Sequence, residues 1–187
     1  MKSIKRIFIV TFLPVLCLLC LSIDDSAAQV KKMSAKDLTE VSTAVLYGKC
    51  SKLKSEWNEN KSIIYTYVTI VPEEYIKGNL GSEAVIAVPG GRVGDIIYEV
   101  SEMPVFMEGE EVVAFIWTNP AGKNLVTGGY QGKMKIEKDK DSGKRMVVGA
   151  GLDEEDETGE LGTGKPDKGK KVSLEDFTAK VKGYMKH

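Results

Sequence analysis

The side chains able to do chemistry are few. Glu73-Glu74 and Glu110-Glu111 are adjacent carboxylates, the residue type that glycoside hydrolysis uses in pairs. Both doublets lie beside turns at the ends of apolar runs, where exposed charge is the ordinary explanation. Gly90-Gly91-Arg92-Val93-Gly94 has the glycine content of a phosphate cradle. Such cradles open a helix, whose first amides face the anion. Here a strand-like run follows, which favours a tight turn. Arg92 on a rigid glycine loop can still grip a carboxylate bidentately. A second glycine-rich stretch, Gly128–Gly132, carries Tyr130 and Gln131. Arg92, Tyr130 and Gln131 are therefore the candidate binding residues. Glycine leaves backbone amides and carbonyls uncovered, and loops on a rigid β-scaffold are where small β-proteins carry function. The plainer explanation is that these glycines only satisfy turns and bulges.

Metal and nucleophile chemistry find little support. Asp139-x-Asp141-x-Gly143 begins like a calcium loop, but Ala150 stands where the closing glutamate belongs, so a hairpin turn is expected. The acidic run Asp153–Glu157, with Glu160, has no ligand geometry of its own and reads as solvated linker. There is no His pair, and the one histidine, His187, would have to complete any Ser-His-Asp triad. Of the three cysteines, Cys17 and Cys20 lie in the N-terminal apolar run. Cys50 is then alone, which excludes an internal disulfide or a multi-Cys metal site and suggests a buried apolar thiol. No cofactor is expected. Tyr65, Tyr67, Tyr98, Trp57 and Trp117 could stack bases or sugars, but packing within a barrel explains them better.

The N-terminus reads as an address. Lys2, Lys5 and Arg6 precede the apolar run Ile7–Ile23, and Ser26-Ala27-Ala28 supplies small residues after it. Basic, apolar, small-residue is the layout of a secretory signal peptide. Residues 1–28 are expected to be removed, so that the exported protein starts at Gln29, in the periplasm or outside the cell. A membrane is met only through the uncleaved signal. Cleavage takes three bases (Lys2, Lys5, Arg6) and two acids (Asp24, Asp25) from the 26 and 27 of the full chain, leaving 23 and 25. That balance gives no support for nucleic-acid binding.

The elements that position these residues come from β-branched and aromatic runs broken by Gly, Pro and Asn, which is how strands read in sequence. Ser34 should cap a short helix with Leu38 and Val41 on its apolar face. Val45–Cys50, continued by polar Ser51–Trp57, and Ile63–Val71 form a long hairpin around Asn58–Lys61. Gly48 suggests a bulge or a close backbone approach, and Pro72 an irregularity or an edge. Neither side of Ile63–Val71 is polar, so the strand should be covered on both faces or pack its tyrosines under a neighbour. Ala84–Val88, Ile96–Val100 and Glu110–Thr118 follow. Leu125–Thr127, Lys133–Glu137 and Arg145–Val148 complete a β-domain over 29–150. Residues 151–172 turn acidic and then Gly- and Lys-rich, too polar to offset the entropy of ordering, and are expected to be a disordered linker. Ser173 caps a final helix over 173–187 with Leu174, Phe177, Val181 and Tyr184 on one face. The fold expected is mainly β, a small antiparallel OB-like barrel or sandwich with a short N-terminal helix and a C-terminal helix.

The series Gly48, Trp57, Ile64-Tyr65-Thr66, Lys77-Gly78, Pro89-Gly90-Gly91, Gly94, Pro104-x-Phe106, Gly109-Glu110 and Gln131-Gly132 resembles a group of exported bacterial proteins without an assigned activity, over about residues 35–138. The order strand, Lys-Gly turn, strand, Gly-Glu, strand is more distantly similar to the OB-type barrel of tissue inhibitors of metalloproteinases and netrin-like modules. Those inhibitors act through a disulfide-fixed N-terminal cysteine at a catalytic zinc. No cysteine stands near Gln29, so the resemblance carries over no functional residue. The reading is an exported, non-enzymatic binding or interaction module whose partner is a protein or an envelope polysaccharide. The alternative is an exported hydrolase using paired carboxylates.

Overall fold

Two strands buried on both faces form the middle of the molecule. The structure, a computed structural model, describes residues 32–152 and 171–186. The expected signal at 1–28 and the expected linker residues 153–170 lie outside the described residues. β6 (Glu111–Thr118) is covered from Val112 to Ile116, as is β1 (Ala44–Trp57) over its first half. A continuous apolar run such as Val112-Val113-Ala114-Phe115-Ile116 suits only a strand with cover on both sides.

Alternation sorts these residues between two cores. Ala44, Leu46, Cys50, Val112, Ala114 and Ile116 face one core, met there by β2 (Ile64–Lys77) through Val68 and Ile70 and by β3 (Ala84–Pro89) through Ala84, Ile86 and Val88. Val45, Tyr47, Val113 and Phe115 face the other. Helices α1 (Ala35–Val41) and α2 (Leu174–Tyr184) cover that side with Ala35, Leu38, Leu174, Phe177 and Val181. The Phe115 and Phe177 rings meet edge to face at 6.3 Å, a preferred aromatic geometry. Ser34 caps α1 in a reciprocal box with Asp37, and Ser173 caps α2 by accepting from the Asp176 amide. Val41, expected on the apolar face of α1, is exposed.

All strand pairings are antiparallel. The main sheet among the described residues runs β10-β9-β8-β6-β1-β2-β3, with β7 (Asn124–Val126) also on β6. β8 is Lys133–Lys138, β9 Arg145–Val148 and β10 Lys171–Ser173. The mainly β fold with its two helices is as expected, but the sheet does not close into a barrel. Where β7 comes beside β3, the bond across is a side-chain one, from Asn124 Nδ2 to the Val85 carbonyl at 3.1 Å.

Three differences have local causes. β2 is not covered on both faces: Tyr65 and Tyr67 are half-buried and Val71 is exposed. The Gly90–Gly94 turn contains a strand, β4 (Gly91–Val93), hairpinned to β5 (Ile96–Tyr98). Gly91 lies so close to β1 and β2 that a Cβ would sit 2.3 Å from Thr66 Oγ1. The ends of the expected linker belong to the domain. The Gly151 carbonyl accepts from the Ala35 amide at 3.0 Å, Leu152 is buried, and Lys171 and Val172 pair with β9.

Candidate functional site

Gly48 shapes one candidate site. Its position opposite Pro72 brings the strands so near that a Cβ would lie 2.2 Å from the Val71 carbonyl oxygen. Glycine permits that approach, and the β1/β2 register shifts between Tyr47 and Gly48. The resulting groove, about 460 Å³, is lined by Tyr47, Lys49, Ser51, Glu73 and Glu111 among others. Arg145 on β9 reaches two of its lining carboxylates. Its Nη1 and Nη2 donate to the two Glu73 oxygens at 2.6 and 2.8 Å, and Nη1 is 3.9 Å from Glu111 Oε2. The guanidinium also stands 5.6 Å over the Tyr47 ring. The Tyr47 hydroxyl donates to Glu74 at 3.0 Å, and Lys182 of α2 donates to Glu74 at 2.6 Å.

Two carboxylates bound to one nitrogen lie within the separation, up to roughly 9.5 Å, that glycoside hydrolases use. The electrostatics oppose that chemistry. A general acid needs a carboxyl held protonated, with its pKa raised. Hydrogen bonds from Arg145 push Glu73 below the usual carboxylate range, and those from Lys182 and Tyr47 do the same to Glu74. Burial, with the Glu74 hydrogen bond second, pushes the Tyr47 phenol up. The group therefore works as a clamp joining β2, β9 and α2. Within the chain, the arginine that grips a carboxylate bidentately is Arg145.

The three sequence candidates fare differently. Arg92 is exposed on β4, and its Nε donates to the Gly94 carbonyl at 2.9 Å, closing its own hairpin. Tyr130 is 42% exposed at the 3-10 turn Gly129–Gly132. Its amide is not free for a ligand, because it donates to the Glu102 carbonyl at 2.8 Å. Gln131 is not a surface residue at all. It is 1% exposed, and its Oε1 accepts from the Met33 amide at 2.8 Å. The Asp139 carboxylate accepts from Ser142 and Asp141, so that stretch is the expected turn. None of Trp57, Tyr65, Tyr67, Tyr98 and Trp117 belongs to either core, contrary to the barrel-packing expectation, and Lys123 lies 4.3 Å over the Tyr65 ring.

Sequence reasoning reads Ser101–Glu108 as a connector holding Pro104 and Phe106 but assigns it no site; it joins β5 to β6. Across Pro104-Val105-Phe106-Met107, side chains alternate in and out. Pro104 and Phe106 are buried, while Val105 is 80% and Met107 57% exposed. Behind them is a buried ion pair, Lys133 Nζ to Glu110 Oε1 at 2.6 Å. Lys133 also donates to the Val105 carbonyl and stands 4.8 Å over the Phe106 ring, and Glu110 Oε1 accepts from the Met107 amide. The Gly109 amide donates to the Cys50 carbonyl, and the Leu53 amide to Glu108. Glu102 has φ 61°, a left-handed conformation that a non-glycine residue keeps only where its surroundings fix it. Gly129 permits this: a Cβ there would lie 2.4 Å from the Glu102 oxygen. The five residues 103–107 contain no polar side chain, so their alternation leaves no trace in hydropathy. The ion pair joins residues 23 apart in sequence, with nothing local to mark it.

Among the described residues no group of three His, Cys, Asp or Glu side chains could hold a metal ion, and no helix is long and apolar enough to cross a membrane. Comparison of the chain with models of known protein families, with curated proteins and with solved structures finds no match.

Proposed function

We propose that the chain is an exported, non-enzymatic binding module that meets a protein partner through the β4–β5 hairpin and the connector after it. The observation that carries this is the connector itself: two aliphatic side chains held out to solvent by a backbone fastened from behind. An interface whose loop is already ordered loses little entropy on binding, so its apolar contacts count more fully toward affinity. Ile96 and Ile97, 54% and 61% exposed on opposite faces of β5, add apolar surface to the hairpin. Arg92 and Tyr130 flank it. A protein is favoured over a polysaccharide because the outward groups are aliphatic, whereas sugars are gripped by open aromatic faces and hydrogen-bonding side chains. The half-exposed Tyr65 face is occupied by Lys123. Export rests on the layout of residues 1–28.

The test is parallel capture from envelope and culture fractions with the mature chain and its Val105→Asp/Met107→Asp variant. The variant should melt with the parent, since both side chains are exposed, and should lose a partner that the parent retains. Equal capture by the two proteins would exclude this surface. Hydrolysis of envelope polysaccharide by the parent, abolished by Glu73→Gln or Glu111→Gln, would instead establish the carboxylate enzyme.

A further inference from the structure

Charge narrows the kind of partner, on the reading that 92–108 is a binding surface. Within that stretch Asp95, Glu99, Glu102 and Glu108 are exposed, against the single base Arg92. One acid is partly engaged, Glu108 with the Leu53 amide. Arg92 is turned back on its own hairpin. The outward apolar groups Val105 and Met107 therefore have acids on either side of them in the chain. The backbone is not offered for strand addition at the connector, because the Val105 carbonyl and the Met107 amide are already bonded to Lys133 and Glu110. Recognition here runs through side chains. A second copy is a poor occupant: an isologous contact would set this patch against itself and bring its acids together. The chemistry that satisfies both features is an amphipathic segment with aliphatic side chains on one face and lysine or arginine at its margins.

We infer that the surface formed by the β4–β5 hairpin and the 103–107 connector binds a basic amphipathic segment of a partner protein, with Val105 and Met107 as the apolar anchors and Glu99 and Glu102 facing the partner's cations. Desolvated aliphatic contacts supply most of the affinity, and the acids supply orientation and choice of partner.

Three synthetic helical peptides of equal length test this with the mature chain: one of Leu and Lys in amphipathic order, one of Leu and Glu in the same order, and one of Lys and Ala. Calorimetric titration should give binding of the Leu/Lys peptide alone. Binding should weaken as salt is raised from 0.05 to 0.5 M, since exposed charges are screened over a shorter distance. Val105→Ser/Met107→Ser should weaken it at least about tenfold, corresponding to roughly 1.4 kcal/mol. Glu99→Gln/Glu102→Gln should weaken it about two- to fivefold and flatten the salt dependence. Equal binding of the Leu/Glu peptide, equal binding of the Lys/Ala peptide, or a concentration-dependent dimer of the parent through this patch would overturn the inference. If all three peptides fail while a captured partner is still lost in the Val105→Asp/Met107→Asp variant, the surface binds protein but not a basic segment. Loss of neither would sink the wider reading as well.

Discussion

Gln131 and Arg92 share a glycine-rich setting in the sequence and end in opposite environments. Gln131 is inside, accepting from an amide 98 residues away, while Arg92 is outside and bonds a carbonyl two residues on. Gln131→Ala should lower the free energy of unfolding by about 2–4 kcal/mol, because the Met33 amide loses its acceptor in a buried site and a cavity is left. Arg92→Ala should change it by less than about 0.5 kcal/mol. Urea titration of the two variants separates the cases; a Gln131→Ala protein as stable as the parent would mean that water replaces the amide. Sequence could not part them, since a polar residue beside glycine has the same local signature in a turn as in a core. Gly48 was legible for the opposite reason. A glycine inside a β-branched run has few uses besides a close approach of backbones, and Val71 supplies one.

At the level of elements, long strands, capped helices and the short strands β5 and β7 could be read, whereas β4 and β10 could not. β1, β2, β3 and β6 carry β-branched runs, and both helices carry their serine caps in sequence. β4 and β10 have three residues each, too few for any periodicity; β4 exists through the tight hairpin it makes with β5, and β10 because β9, distant in sequence, lends it a ladder. The clamp that ties β9 and α2 to β2 was likewise invisible, because Glu73, Glu74, Arg145 and Lys182 meet only after folding. It gives an acid limb to stability. Glu73 and Glu74 hold their protons less tightly when folded than when unfolded. Their contribution is therefore complete above the unfolded carboxylate pKa, roughly 4.3, and is lost as pH falls below it through the folded values. Each group is exposed enough that no more than about 1 kcal/mol is expected from either. Glu73→Gln/Glu74→Gln should flatten the fall in melting temperature between about pH 5 and pH 3. An unchanged slope would assign the acid sensitivity to other carboxylates.

For the whole molecule, cover decides the order in which it opens. β1 and β6 lie between two cores, whereas β4–β5 has Ile96 and Ile97 in solvent. Amide exchange should thus be slowest at Val45–Tyr47 and Val112–Ile116, near the global unfolding limit, and far faster at Gly91–Tyr98. Protection at Ile96 and Ile97 matching that at Val113 would show the hairpin to be covered in solution. The fold class could be read because strand-length apolar runs dominate the chain. Barrel closure could not, since it turns on whether Asn124 meets β3 with its backbone or its side chain.

Cys50 turns the connector into something that can be timed. Its side chain is fully buried, its amide and carbonyl are bonded to Glu110 and Gly109, and burial pushes its thiol pKa up. With residues 1–28 removed it is the single sulfhydryl of the chain. A disulfide reagent reaches it when the 103–110 segment lifts away or the domain unfolds, so the modification rate divided by that of a free cysteine, in excess of global unfolding, reports how often the loop leaves its seat. The ratio should be small for the mature chain. It should rise steeply in Lys133→Ala, which strands Glu110 without its counter-ion. It should be unmoved by Arg145→Ala, which loosens only the opposite clamp. Rapid modification of the parent would mean that the aliphatic anchors are not held in place before a partner arrives.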